Sequence, residues 1–156
     1  MGQHGWSATG VIEAPFERVS EVLLVVAEGP VGRGNAPLLR AFPGVGRFLG
    51  NATLRGGPTK FTIHYGREPG GTVEVDAGRG WFAFQGGFKF RAEYTFVPHP
   101  RGTKLTYRAV NVAPVEHRER RAVRFQFWLG GVLKVGLRGG LRRMGKALGC
   151  RAYLGS

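Results

Sequence analysis

Four histidines, one cysteine and ten carboxylates are the groups in this 156-residue chain best suited to proton transfer, nucleophilic attack or metal binding. Their spacing assembles none of these. His4 lies near the N-terminus, His99 in a proline-rich turn and His117 ahead of the last helix. Only His64 falls within a strand, on the same face as Lys60 and Thr62. That face reads as solvent, and a general base needs a neighbour to orient the imidazole and tune its pKa. Ser7 and Ser20 carry no surrounding motif, and Cys150 stands alone, so no Ser-His-Asp or Cys-His set is present. Glu74 and Asp76 share a strand face, where pairing with an arginine is the expected role. No His or carboxylate spacing matches a metal site. The run Gly44-Val-Gly46-Arg-Phe-Leu-Gly50 lacks the strand–helix setting and the acidic residue of a dinucleotide fingerprint. The sequence therefore names no catalytic residue, no metal and no cofactor.

The aromatic residues carry more. Phe61, Tyr65, Trp81, Phe90, Tyr94, Tyr107 and Trp128 fall on predicted strands or helix in a pattern that can line one concavity. Ile63, Asn111, Phe125, Leu129 and Val132 complete the candidate lining. Two outcomes fit this pattern, a filled core or a wall around an apolar ligand. A buried tyrosine requires a hydrogen-bond partner, and a ligand hydroxyl or carbonyl can supply it. Asn111, Arg91 and Arg108 are candidate polar contacts, although an arginine pointing inward needs an anion to pair with.

Two periodicities set the elements that position these residues. Trp6 to Glu13 reads as a strand, stopped by Ala14-Pro15. Pro15 opens a helix, where its missing N–H is harmless. Phe16, Val19, Val22, Leu23 and Val26 then make one helical face, predicting a helix over Pro15–Ala27. After the loop Gly29-Pro-Val-Gly-Arg-Gly34, Asn35 is placed to cap a second short helix through Phe42. Period-2 alternation follows in 48–55, 59–65, 72–76, 81–85, 88–97 and 103–112, separated by Pro69-Gly70-Gly71, Gly78-Arg-Gly80, Gly86-Gly87 and Pro98-His-Pro-Arg-Gly102. In Phe88–Val97 the apolar set Phe88, Phe90, Ala92, Tyr94 and Phe96 alternates with Lys89, Arg91, Glu93 and Thr95. From Arg118 the period changes to 3.6. Ala122, Phe125, Leu129, Val132, Leu137, Leu141 and Met144 make an apolar stripe, predicting one long helix over Arg118–Leu148. Its glycines at 130, 131, 136, 139 and 140 predict close backbone packing, a break, or room for a ligand.

At 156 residues, residues 1–156 read as a single domain with a sizeable core. The lone cysteine excludes an internal disulfide framework. No stretch has the length and apolarity of a spanning helix, and no secretory pattern opens the chain. Met1-Gly2 is followed by Trp6, where myristoylation requires Ser or Thr. The expected location is the cytoplasm. The formal charge is +13. Residues 118–151 hold ten basic residues and one acid, Glu119, contributing +9 of it. Arg120, Arg124, Lys134, Arg138, Arg142 and Lys146 fall opposite the apolar stripe. This face is either solvated or a contact for nucleic acid, ribosome or an anionic membrane.

The order strand, two helices, about six further strands and a long C-terminal helix accompanies two local signatures. They are Ile12-Glu-Ala-Pro-Phe-Glu-Arg-Val19 at the first strand–helix junction and Pro100-Arg-Gly-Thr-Lys-Leu-Thr-Tyr107 at the last hairpin. Together they resemble the START/birch-pollen-allergen (SRPBCC) superfamily of helix-grip proteins, and within it the polyketide cyclase/dehydrase and lipid-transport branch. The resemblance implies an α+β helix-grip fold: a curved antiparallel sheet of about seven strands around the long helix, with two short helices after the first strand. It also implies a cavity for a hydrophobic or aromatic small molecule or lipid. It carries over no catalytic residue. Three functions follow as expectations: a binding or transport protein for such a ligand, an aromatase/cyclase-type enzyme, or an interaction module acting through the basic helix.

Overall fold

The computed structural model of the protein describes residues 5–32, 35–41, 52–86, 90–111 and 136–155. The strands are β1 (Gly5–Ile12), β2 (Gly29–Pro30), β3 (Ala52–Gly56), β4 (Lys60–Tyr65), β5 (Glu68–Asp76), β6 (Trp81–Gly86), β7 (Phe90–His99), β8 (Gly102–Asn111) and β9 (Ala152–Leu154). The helices are α1 (Phe16–Leu23), α2 (Pro37–Ala41) and α3, residues 136–148. All nine strands form one curved sheet in the order β2-β3-β4-β5-β6-β7-β8-β1-β9, and every neighbouring pair is antiparallel.

Alternation decides which face is buried. Leu54, Phe61, Ile63, Val73, Val75, Phe82, Ala92, Tyr94, Phe96, Leu105, Tyr107 and Ala109 share one core cluster with Val19, Leu23, Leu38, Leu39, Leu137, Leu141, Met144 and Leu148. This inner face meets all three helices. On α3 the 3.6-residue period holds: Leu137, Leu141, Met144 and Leu148 are buried, while Arg138, Arg142, Arg143 and Lys146 are exposed. Each leucine buried in this way contributes about 1.5–3 kcal/mol. Two glycines set the approach. A Cβ at Gly10 would lie 2.7 Å from the Leu141 Cδ1 atom, and one at Gly145 would lie 3.2 Å from the Ala152 Cβ. At Gly145 the same Cβ would also lie 2.6 Å from the Cys150 carbonyl, so a side chain at either position would force the helix or its neighbours to shift.

The N-terminal helix is held at its entry. Pro15 precedes it with extended geometry, and the Thr103 hydroxyl donates to the buried Ala14 carbonyl at 2.8 Å. The Ser20 hydroxyl donates to the Ala77 carbonyl at 3.0 Å, tying α1 to the β5–β6 turn.

The expected curved antiparallel sheet with a C-terminal helix is present; among the described residues it has nine strands, because β2 and β9, of two and three residues, extend it at its two edges. Several local expectations are corrected. Pro69-Gly70-Gly71 is not a turn: it lies inside β5, opposite a register shift between Ile63 and His64. Helix α1 ends at Leu23, not Ala27. The Asn35 side chain is taken up by the preceding loop. Its Nδ2 donates to the carbonyls of Ala27 and Gly29, and its Oδ1 accepts from the Gly32 N–H. Helix α3 runs unbroken through Gly139-Gly140. The expected glycine break at 130–131, the helix from Arg118 to residue 135, and the run 44–50 lie outside the described residues. Among the described residues no helix is long and apolar enough to cross a membrane.

Gly66 and Gly80 share a left-handed backbone, with φ of +65° and +66°. A Cβ at Gly66 would meet open space, whereas one at Gly80 would strike the Phe96 carbonyl and lie 2.7 Å from the Phe16 ring. Replacement of Gly66 by alanine is expected to cost about 1–2 kcal/mol, the backbone penalty. Gly80→Ala is expected to cost about 1–3 kcal/mol more through overpacking. Denaturant midpoints at constant m-value compare the two; equal losses would contradict the packing of Phe16 and β7 on this turn.

Candidate ligand-binding face

Cross-strand register builds the site. Phe61 faces Val73, Val73 faces Phe84, Phe84 faces Ala92 and Ala92 faces Ala109 in one row. A second row runs Val75, Phe82, Tyr94, Tyr107 and Ala8. The rings of Phe82 and Tyr94 meet edge to face with centroids 5.5 Å apart, and those of Tyr94 and Tyr107 with centroids 5.0 Å apart. The two phenols thus sit side by side at the centre of an apolar floor. Burial drives the Tyr94 pKa well above the ordinary phenol value, and the adjacent Tyr107 adds to the shift. Burial likewise raises Tyr107. Both remain protonated, and so are able to donate hydrogen bonds, through the neutral range.

Of the twelve residues expected to line the cavity, Phe61, Ile63, Tyr94 and Tyr107 are buried on this face. Tyr65 shares the face of Ile63 but lies at the end of β4. It is 38% exposed, and its ring occupies the space that a Cβ on Gly70 would need. Trp81 is misplaced by the sequence reading. It pairs with Thr95 and Asp76 on the outer face, half-buried, with the Arg91 guanidinium 6.0 Å from its ring centre. Phe90 and Asn111 pair across the end of β7 and β8, and only their backbone is described. Phe125, Trp128, Leu129 and Val132 lie outside the described residues.

The sequence reading missed Phe82 and Phe84, although the signal was present. In Trp81-Phe-Ala-Phe-Gln85, two phenylalanines share one face against one tryptophan on the other. A one-residue choice of face exchanges the whole set.

Neither arginine considered for the cavity points inward. Arg91 reaches Glu93 at 3.0 Å, Gln85 at 3.2 Å and Glu74 at 3.7 Å on the outer face, and Arg108 is exposed. The expected arginine partner of Glu74 is therefore Arg91. Asp76 instead accepts the Arg79 backbone N–H, closing the β5–β6 turn. His64 lies with Lys60 and Thr62 on the outer face, and His99 accepts the Arg101 backbone N–H. Among the described residues no group of His, Cys, Asp and Glu is placed to hold a metal ion. A groove of about 360 Å³ lies away from the inner face, between Glu13–Glu17 and Pro98–Gly102.

The fold has a counterpart among solved structures. The Zhui aromatase/cyclase from Streptomyces sp. R1128 superposes with a TM-score of 0.54 at 15% identity, covering 92% of this chain and 94% of that one. The chain has the helix-grip fold. Two further matches are a Thermobifida fusca protein, TM-score 0.49, 20% identity, 94% and 95% covered, and a Thermus thermophilus protein, TM-score 0.48, 13% identity, 93% and 97% covered. No family model and no curated protein matches the sequence. At these identities the likeness is one of fold, and activity must be argued from the site.

Tyr94 and Tyr107 set an alkaline limit on stability. Below pH 10.0, the ordinary phenol pKa, both are protonated folded or unfolded. Above it the unfolded chain releases protons that the folded chain retains, so unfolding is favoured. Stability is expected to be intact below pH 10 and to fall as pH climbs past it. Phenolate absorbance is expected to rise in two stages, the second together with loss of structure. Ionisation of all four tyrosines in a native fold would contradict their placement.

Proposed function

We propose that this helix-grip domain binds a hydrophobic small molecule between the inner face of its sheet and the helical layer. The observation that carries the reading is Phe84. It belongs to a row whose other described side chains, Phe61, Val73, Ala92 and Ala109, are buried, yet it stays half-buried. Its partner on β7 is the small Ala92, and Gly71 lies two residues along β5 from its other partner, Val73. Each 100 Å² of apolar ligand surface laid on this floor contributes on the order of 2.5 kcal/mol. An ionised carboxylate would lose its hydration here without an inward-facing cation among the described residues, so the favoured ligand is neutral.

An aromatase/cyclase reading draws on the same pair of phenols, which can donate to a ketone oxygen, and on the fold shared with the Streptomyces cyclase. Ring closure also requires a base to remove a C–H proton. Tyr94 and Tyr107, held protonated, act as donors and not as bases, so the described face supports binding ahead of catalysis.

Native mass spectrometry of protein as purified, with solvent extraction of any adduct, tests the reading. A small apolar compound is expected. The same compound, or a neutral polycyclic fluorophore, is expected to bind Phe84→Ala about tenfold more weakly, a loss of about 1.4 kcal/mol. Phe84→Ala is expected to cost less stability than Phe82→Ala, whose fully buried ring predicts about 3–5 kcal/mol. Absence of any adduct together with no saturable fluorophore binding would overturn it.

A further inference from the structure

The outward face of α3 plays no part in the proposed ligand site. Arg138, Arg142 and Lys146 stand four residues apart on one exposed row, with exposed Arg143 beside them. Residues 136–155 contain five basic residues and no acid, so the field of this row is not cancelled within its own segment. Among the described residues no carboxylate pairs with Arg138, Arg142 or Lys146. The helix that carries the row is anchored, because Leu137, Leu141, Met144 and Leu148 on its opposite face are buried in the core.

We propose that this face docks the phosphate backbone of a nucleic acid. Successive members of the row step about 6 Å along the helix axis. Phosphates follow one another about every 3.4 Å per strand along a duplex axis, which the row matches at alternate phosphates, and a single strand, with no fixed rise, can adjust its phosphates to the row. Arginine supplies most of the face, and its planar fork grips phosphate through two hydrogen bonds. A membrane fits less well. Helices that lie on lipid insert apolar residues beside the basic ones, but the apolar residues of α3 face the core. Among the described residues the large exposed apolar side chains lie elsewhere, Val25 in the loop after α1, Tyr65 on β4 and Val97 on β7.

The test is fluorescence anisotropy of a labelled single-stranded RNA oligonucleotide across a salt series, run beside vesicles of phosphatidylglycerol and phosphatidylcholine. Wild-type protein is expected to bind RNA at low salt with an affinity that falls as salt rises. The triple variant Arg138→Gln/Arg142→Gln/Lys146→Gln is expected to flatten the slope of log affinity against log salt by about 2, from about 0.7 per lost phosphate contact on a single strand. Arg142→Gln alone is expected to flatten it by about 0.7 on the same basis. These side chains are exposed, and an unchanged denaturation midpoint confirms that the variants remain folded. No RNA binding at low salt, an unchanged slope in the triple variant, or binding to anionic vesicles but not to RNA would each overturn the proposal.

Discussion

One contact surface organises the molecule: the apolar stripe of α3 against the inner face of a sheet that would otherwise expose it. Leu141 enters the space that Gly10 leaves open on β1, and Gly145 lets the helix close on Ala152 of β9. Because those two strands lie at one end of the strand order, the described part of the helix is seated towards that edge. Helix α1 packs on β7 and β8 and against α2, and Val19, Leu23, Leu38 and Leu39 join the same core. The aromatic floor of Phe82, Phe84, Tyr94 and Tyr107 lies on β6, β7 and β8.

The two faces of the sheet have separate chemistry. The inner one holds apolar side chains and two phenols that burial keeps neutral. The outer one carries the charge, and its centre is Arg91, held by Glu93, Glu74 and Gln85 above Trp81. These partly buried pairs join β5, β6 and β7 from outside while the aromatic contacts join β6, β7 and β8 from inside. A strand register that satisfies both at once has little freedom to slip.

Much of this is legible in the sequence because the strongest signals are periodic. The alternation along β7 and β8 identifies the inner residues Tyr94 and Tyr107, and Ala14-Pro15 locates the turn into α1. The errors arise where periodicity is silent or divided. Strands β2 and β9 are too short to display a period and exist because neighbouring strands offer them an edge. Pro69-Gly70-Gly71 resembles a turn, but Gly70 makes room for the Tyr65 ring beside a bulge, a contact formed by the partner strand. The aromatic pattern draws Trp81 into the candidate lining, whereas Phe82 and Phe84 together claim the inner face and leave the indole to Arg91. Asn35 has the chemistry of a cap, but the loop before it competes for the same amide.

The inner face is where an apolar molecule is held in the function proposed above. Backbone chemical-shift mapping with a neutral polycyclic ligand at saturation tests that most directly. The largest changes are expected at Phe82, Phe84, Ala92, Tyr94 and Tyr107, with outer-face residues such as Arg55 and Lys60 unmoved. Saturable binding with its changes centred on the outer face, or on the groove between Glu13–Glu17 and Pro98–Gly102, would contradict it.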